Sequence, residues 1–288
     1  VHIVEGAEHV AAHVGQFLKG LTHGFHTDAR RVQEEQIDGI FARNRGRANP
    51  LPSGDWATFQ TWRNLLFAHW PVPASVVRPH VPEGLDLDLF AGQAYVSLVA
   101  MEMGHICFRT LGTLTATIPG ETSFPELNVR TYVRCNGRQG VYFLRADAQA
   151  LIADLGARML FHMPYGPATM SLQAIDANTW SFRSHRTMPP TPDATYAIRY
   201  TPTGTLAPVG ETSRTAFLRN RDYAYLSRDG QILSLGLLHD PWQAQTADVT
   251  VQVNTVLAAS GFELPSTPLY VDYTPEIQVV LWSGEPVR

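Results

Sequence analysis

The stretch from Phe124 to Arg145 constrains the fold of this chain more than any other part of it. Phe124 to Cys135 reads as one strand, Asn136-Gly137 follows, and Gly140 to Arg145 returns as its partner. Asn-Gly offers two consecutive residues that tolerate positive φ, which a two-residue turn between twisted strands requires. Side chains alternate between the two faces of a strand. One face therefore carries Glu126, Asn128, Arg130 and Tyr132, and the other Leu127, Val129, Thr131 and Val133. The second face is core. The first is either a solvated surface or the wall of an enclosed space, and the pattern alone leaves both open. A two-residue turn sets Arg130 beside Phe143 and Asn128 beside Arg145, which adds Arg145 to the polar face. Within a barrel such a face is a binding site, because buried charges must be paired and satisfied. Arginines there favour a carboxylate or another planar oxygen acid as ligand. They also favour an ionised Glu126, and burial opposes them.

Residues 1–50 differ in character from the rest of the chain. Val10, Val14, Phe17, Leu18 and Leu21 recur at helical spacing, and Thr27-Asp28 opens a second helix carrying Val32, Ile37, Ile40 and Phe41. This predicts a helical extension over 1–50 and one domain over 51–288. Within the domain, alternating and β-rich segments predominate. Asp147 is read as the N-cap of a helix through Ala148–Phe161, which Pro164 stops. The stretches Pro189–Pro192 and Thr201–Gly210 are rich in proline or glycine and are read as loops. The predicted class is α+β, dominated by strand, with a closed or nearly closed sheet.

Composition excludes several functions. The net charge is -4 with no basic face, which leaves a nucleic-acid role without electrostatic footing. No apolar run is long enough to cross a membrane, and no basic head precedes an apolar stretch at the start. With only Cys107 and Cys135 as thiols, a reducing compartment is expected, hence the cytoplasm. Nucleotide-binding glycine signatures are absent, so no cofactor is expected. His105 and Cys107 share one face of a strand without further ligands, and His9 and His13 lack the glutamate of a zincin helix, so no metal is expected. Lys19 is the only lysine; every other basic side chain that is always charged is an arginine. Arginine cannot form a Schiff base.

Several strings resemble a known family: Phe124-Pro-Glu-Leu-Asn-Val-Arg-Thr-Tyr-Val133, Gly140-Val-Tyr-Phe-Leu144, Leu65-Leu-Phe-Ala-His-Trp-Pro71, and Gly156-Ala-Arg158 with Met163-Pro-Tyr165. Phe217-Leu-Arg-Asn-Arg-Asp-Tyr223 and His239-Asp-Pro-Trp242 add to them. Together they resemble the YqjF-like domain of unknown function, a branch of the acetoacetate-decarboxylase-like superfamily, from about Trp56 to Trp282. The resemblance implies a cone-shaped β-barrel with flanking helices and a buried cavity. It also implies that Glu126 matches the glutamate of the decarboxylase cavity. Tyr165 stands where the reactive lysine of true decarboxylases would be, and a phenol cannot form the iminium. The resemblance thus carries the fold and the pocket while withdrawing the known mechanism. The expected catalytic residues are Glu126 and Tyr165. Arg130, Arg145, Asn128, Tyr132, Arg158, His69 and His162 are expected to bind substrate. The function expected is that of a cofactor-independent lyase or isomerase acting on a carbonyl or carboxylate compound. The alternative is a sensor or carrier that binds a small hydrophobic acid unchanged. A homo-oligomer is the expected assembly.

Overall fold

A computed structural model describes residues 27–45, 50–110, 113–117, 123–149, 163, 165–188 and 191–287. Its first elements are α1 (Thr27–Arg43), β1 (Thr58–Val72), α2 (Ala74–Val77), β2 (Asp86–Leu87), β3 (Ala94–Thr110), β4 (Thr113–Thr117), β5 (Ser123–Cys135), β6 (Arg138–Ala148), β7 (Tyr165–Pro167) and β8 (Thr169–Ala174). After them come β9 (Trp180–Met188), β10 (Thr191–Pro208), α3 (Arg214–Arg219), β11 (Tyr223–Arg228), β12 (Gln231–His239), β13 (Gln243–Asn254), α4 (Val256–Ala259), β14 (Tyr270–Leu281) and β15 (Glu285–Pro286). The fold is α+β and dominated by strand, as expected.

Seven of these strands pair in a closed circuit, β11–β6–β5–β3–β1–β14–β12 and back to β11. The closing seam between β12 and β14 is short: Leu237 meets Leu281, Leu238 meets Val280 and His239 meets Val279. From β14 the sheet continues through β13, β10, β9 and β8. This continuation covers the outside of the ring, so β1 is buried on both faces. Leu65 and Phe67 pack inside with Val99, Met101 and Leu235. Leu66, Ala68 and Trp70 pack outside with Phe182, Tyr196 and Ile198. That is why Leu65 to Trp70 reads as an unbroken apolar and aromatic run rather than as an alternation.

The hairpin forms with its predicted turn. Cys135 pairs with Arg138, and Asn136 and Gly137 have φ of 50° and 78°. Arg130 lies opposite Phe143, as expected. Beyond that point β6 carries an extra residue. Val129 pairs with Arg145, Asn128 with Ala146 and Glu126 with Ala148. A β-bulge of one residue moves every later side chain to the opposite face. The expectation for Arg145 is therefore corrected: Ala146 and Ala148 share the face of Asn128 and Glu126, and Arg145 turns to the other side. Two alanines there leave space beside Glu126.

Two further expectations are corrected. Asp147 caps no helix; it lies in β6, buried, with Arg145 Nε at 3.1 Å and Arg186 Nη1 at 2.8 Å from its Oδ1. Ala148 is also in β6; the predicted helix from residue 150 on, with Arg158, and His162 just beyond it, fall outside the described residues. The segment from Thr201 to Pro208 is strand, not loop. β9 pairs with β10 only as far as Tyr200. The prolines beyond it sit where one edge of β10 is unpaired by β9, and there they cost no ladder bond.

Helix α1 lies across the closing seam. Ile37 and Ile40 pack on Phe59, Leu238, Val280 and Trp282, whereas Val32 is exposed. Arg43 grips Asp240 with two bonds, Nε to Oδ1 at 2.7 Å and Nη2 to Oδ2 at 2.9 Å. Asn44 Nδ2 donates to the His239 carbonyl at 3.1 Å. The expected helix before Thr27 falls outside the described residues.

Candidate active site

A cavity of about 80 Å3 lies within the ring. A single water needs roughly 10–15 Å3 of such a cavity, so the space suits a small organic molecule. Glu126, Asn128 and Arg130 of β5 line it, and so does Tyr165 of β7. Alternate residues of a strand are roughly 6.6 Å apart, so Glu126 and Arg130 stand about 13 Å from each other along β5. The cavity is polarised accordingly, acid at one end and cation at the other. Phe67, Met101, Leu235 and Trp242 supply apolar wall between them.

At the acid end Glu126 is 1% exposed. The Tyr165 hydroxyl donates to Glu126 Oε2 at 2.8 Å, and Asn128 also hydrogen-bonds the carboxyl. Burial pushes the Glu126 pKa up to about 7, and the bonds from Tyr165 and Asn128 only partly offset it. The expectation that two arginines hold Glu126 ionised is thus corrected. The bulge removed Arg145 from this face, and burial prevails. The Tyr165 phenol is pushed far up by burial and by the adjacent Glu126, so it remains a donor. The Asn128 Oδ1 is buried without a hydrogen-bond partner.

At the other end Arg130 is joined by two arginines that sequence reasoning missed, Arg219 at the end of α3 and Arg221 just beyond it. Both are anchored. Arg219 pairs with Asp272, donates from Nη1 to Thr274 Oγ1 at 2.7 Å, and lies 3.6 Å from the Phe67 ring centre. Arg221 pairs with Asp88 and lies 4.3 Å from the Phe217 ring centre. Arg130 instead donates from Nη2 to the Leu218 carbonyl at 3.2 Å and faces the Phe67 and Tyr132 rings. It forms no ion pair among the described residues, and its buried Nε has no acceptor. Its charge is therefore available to an anion. The signal for the other two was present in Arg219-Asn-Arg221, but their counter-ions lie far away in sequence.

His69 and Tyr132 continue the inward faces of β1 and β5, one alternation beyond Phe67 and Arg130, where Phe67 stacks on His69 and the cavity no longer reaches. Tyr132 Oη lies 2.9 Å from Ser97 Oγ, which lies 2.7 Å from His69 Nδ1. His69 Nε2 is 3.4 Å from Asp272 Oδ2. Burial lowers the His69 pKa, which keeps the ring neutral. Burial pushes Asp272 up, but Arg219 and His69 outweigh it and hold the carboxyl below the usual range. Glu126, Asn128, Arg130 and Tyr165 thus meet in one cavity. Arg145, His69 and Tyr132 do not line it.

Glu126 makes folding stability depend on pH. Its folded pKa, about 7, lies above its ordinary value of 4.5, so the folded protein binds the extra proton. That stabilisation, on the order of 3 kcal/mol, is full below pH 4.5 and is lost as pH rises through about 7. His69, with its lowered pKa, acts in the opposite sense, so the effect must be read as a difference. Urea unfolding at pH 5 and pH 8 should show wild type losing about this much relative to Glu126→Gln. Parallel pH dependences would rule out a Glu126 held neutral by burial.

The DUF2071 family, described as an uncharacterized conserved protein, matches residues 59–278. The uncharacterized protein YqjF of Bacillus subtilis (strain 168) is 34% identical over 232 residues, which is 81% of this chain and 93% of the relative. The chain belongs to the DUF2071 family. Solved structures show that this chain shares its fold with acetoacetate-decarboxylase-like proteins. The acetoacetate decarboxylase of Legionella pneumophila superposes with a TM-score of 0.54 at 14% identity, covering 88% of this chain and 95% of that one. The enduracididine biosynthesis enzyme MppR, complexed with the condensation product of pyruvate and imidazole 4-carboxaldehyde, gives 0.53 at 11% identity, with coverage of 84% and 98%. At such identities the likeness shows the fold alone. In this DUF2071 member no lysine lines the cavity among the described residues, and helix α1 precedes the matched span.

Proposed function

We propose that this protein is a small-molecule enzyme, a cofactor-independent lyase or isomerase that draws a proton from carbon next to a carbonyl in a small organic acid. The observation that carries the reading is the Tyr165 donor 2.8 Å from a Glu126 carboxyl in a cavity that also holds the unpaired Arg130 guanidinium. Arg130 binds the substrate carboxylate as a planar fork. Ionised Glu126 takes the α-proton. The C–H electron pair moves into the carbonyl, whose oxygen becomes an enolate stabilised by the Tyr165 hydroxyl and Asn128. Return of the proton at another carbon gives an isomerase; loss of a β-substituent gives a lyase. Neither outcome uses an amine, in keeping with a cavity wall that carries no lysine among the described residues.

The competing reading is a sensor or carrier, and the apolar wall of Phe67, Met101, Leu235 and Trp242 favours it. Incubating the purified protein with a pool of small carboxylic and keto acids and following each by mass spectrometry separates the two. A member bound and converted supports the enzyme; a member bound and returned unchanged supports the carrier. Substrate-binding roles for Arg158 and His162, a cytoplasmic location and a homo-oligomer belong to the same proposal and rest on the sequence. A monomeric mass in solution would remove the last of these.

A further inference from the structure

Tyr165 is carried by β7, a strand of three residues. Such a short strand has little rigidity of its own, yet the Tyr165–Glu126 bond needs its backbone fixed. One restraint is parallel pairing with β6, where Ala146 faces Tyr165 and Asp147 faces Gly166. A second comes from the far side of the sheet. A Cβ placed on Gly166 would fall 1.8 Å from Arg186 Nη2 and 1.9 Å from its Cζ, so the guanidinium rests directly on the Gly166 backbone. A side chain at Gly166 would have to displace this guanidinium, and no unusual φ is involved. The guanidinium is itself fixed, since Arg186 Nη1 donates to Asp147 Oδ1 at 2.8 Å and Arg145 Nε donates to the same oxygen at 3.1 Å. Asp147 is 1% exposed and Arg186 8%. The bulge in β6 makes this arrangement possible, because it turns Arg145 and Asp147 away from the cavity and toward Arg186.

We infer that Gly166, Arg186 and Asp147 form a positioning unit that holds Tyr165 against Glu126 from outside the cavity. The inference rests on reading Glu126 and Tyr165 as the working pair. The three residues touch no substrate; they act through the β7 backbone. A side chain at position 166 lifts the guanidinium off the strand and loosens the Tyr165 hydroxyl from Glu126.

The test is the titration of Glu126, followed by NMR in protein labelled with 13C at the glutamate carboxyls and assigned by the signal missing in Glu126→Gln. Tyr165 and Asn128 contact the carboxyl, and Arg130, Arg219, Arg221 and His239 line the same cavity. Tyr165→Phe removes a bond that favours the ionised form, so the Glu126 midpoint should rise from about 7 by about one to two pH units. Gly166→Ala should raise it in the same direction by at least half as much, and should add nothing in a Tyr165→Phe background. A folded Gly166→Ala protein with an unchanged midpoint would overturn the inference. So would an equal shift in both backgrounds, or a fall in the midpoint, which signals water reaching Glu126. Arg186→Lys, which keeps the charge but loses the planar fork, is read by the same criterion and takes the place of Gly166→Ala if that variant does not fold. No shift in Tyr165→Phe itself would overturn the underlying pair, a result distinct from failure of the positioning unit alone.

Discussion

Glu126→Gln is expected to lower turnover by about a hundred- to ten-thousand-fold, the usual contribution of a placed general base. The substitution keeps the shape of the side chain and an oxygen that accepts the Tyr165 hydroxyl, so the cavity should persist. What it removes is the capacity to take a proton. The pH profile carries the same prediction with a defined sign. A base must be ionised to act, and burial raises Glu126 to about 7. In wild type kcat/KM should therefore climb with pH through about 7, and the residual activity of Glu126→Gln should lack that limb. Steady-state kinetics across pH 5–9 on a converted acid measures both. Unchanged turnover in Glu126→Gln would remove the residue from the chemistry.

Asp272→Ala is expected to cost about 3–5 kcal/mol of folding stability, the range for breaking a buried ion pair by removing one partner. Arg219 is 2% exposed. Without Asp272 its guanidinium would keep, among the described residues, Thr274 Oγ1 and the aromatic faces of Phe67 and Trp242. The His69 Nε2 would lose the Asp272 carboxylate that lies 3.4 Å away. Replacing both partners, as Arg219→Met with Asp272→Leu, should recover much of the loss, because apolar replacement of a whole buried pair is often close to neutral. Urea midpoints of the single and double variants measure the effect. A loss below about 1 kcal/mol for Asp272→Ala would show that Arg219 finds other compensation.

The hairpin was readable because each signal in it is local. Asn136-Gly137 specifies the turn, and the two-residue period of Glu126–Val133 specifies which side chains share a face. The resemblance decided that this face looks inward. The bulge in β6 was not readable. Tyr142, Phe143, Leu144 and Arg145 include no glycine or proline to mark it, yet it moved Arg145 out of the site and converted an expected ligand-binder into part of a support behind Tyr165. Asp147 misled for a related reason. An aspartate ahead of an apolar-periodic segment is a good N-cap, but here it answers two arginines, one of them on β9. The proline-rich stretch from Thr201 failed because tolerance for proline depends on which edge of a strand is paired, which is a property of the sheet. Arg219 and Arg221 were visible as residues but not as a site. Their anchors, Asp272 and Asp88, are 53 and 133 positions away, and only the closed ring brings them together.

Hydrogen–deuterium exchange at substrate carbon bears most directly on the proposed chemistry. Small keto acids incubated in D2O with the protein and followed by proton NMR should lose the signal of the hydrogen beside the carbonyl as deuterium replaces it, and Glu126→Gln should abolish that loss. A keto acid that binds in the cavity yet keeps its hydrogen, or exchanges equally fast with Glu126→Gln, would contradict the claim that this enclosed acid and its tyrosine partner perform proton transfer.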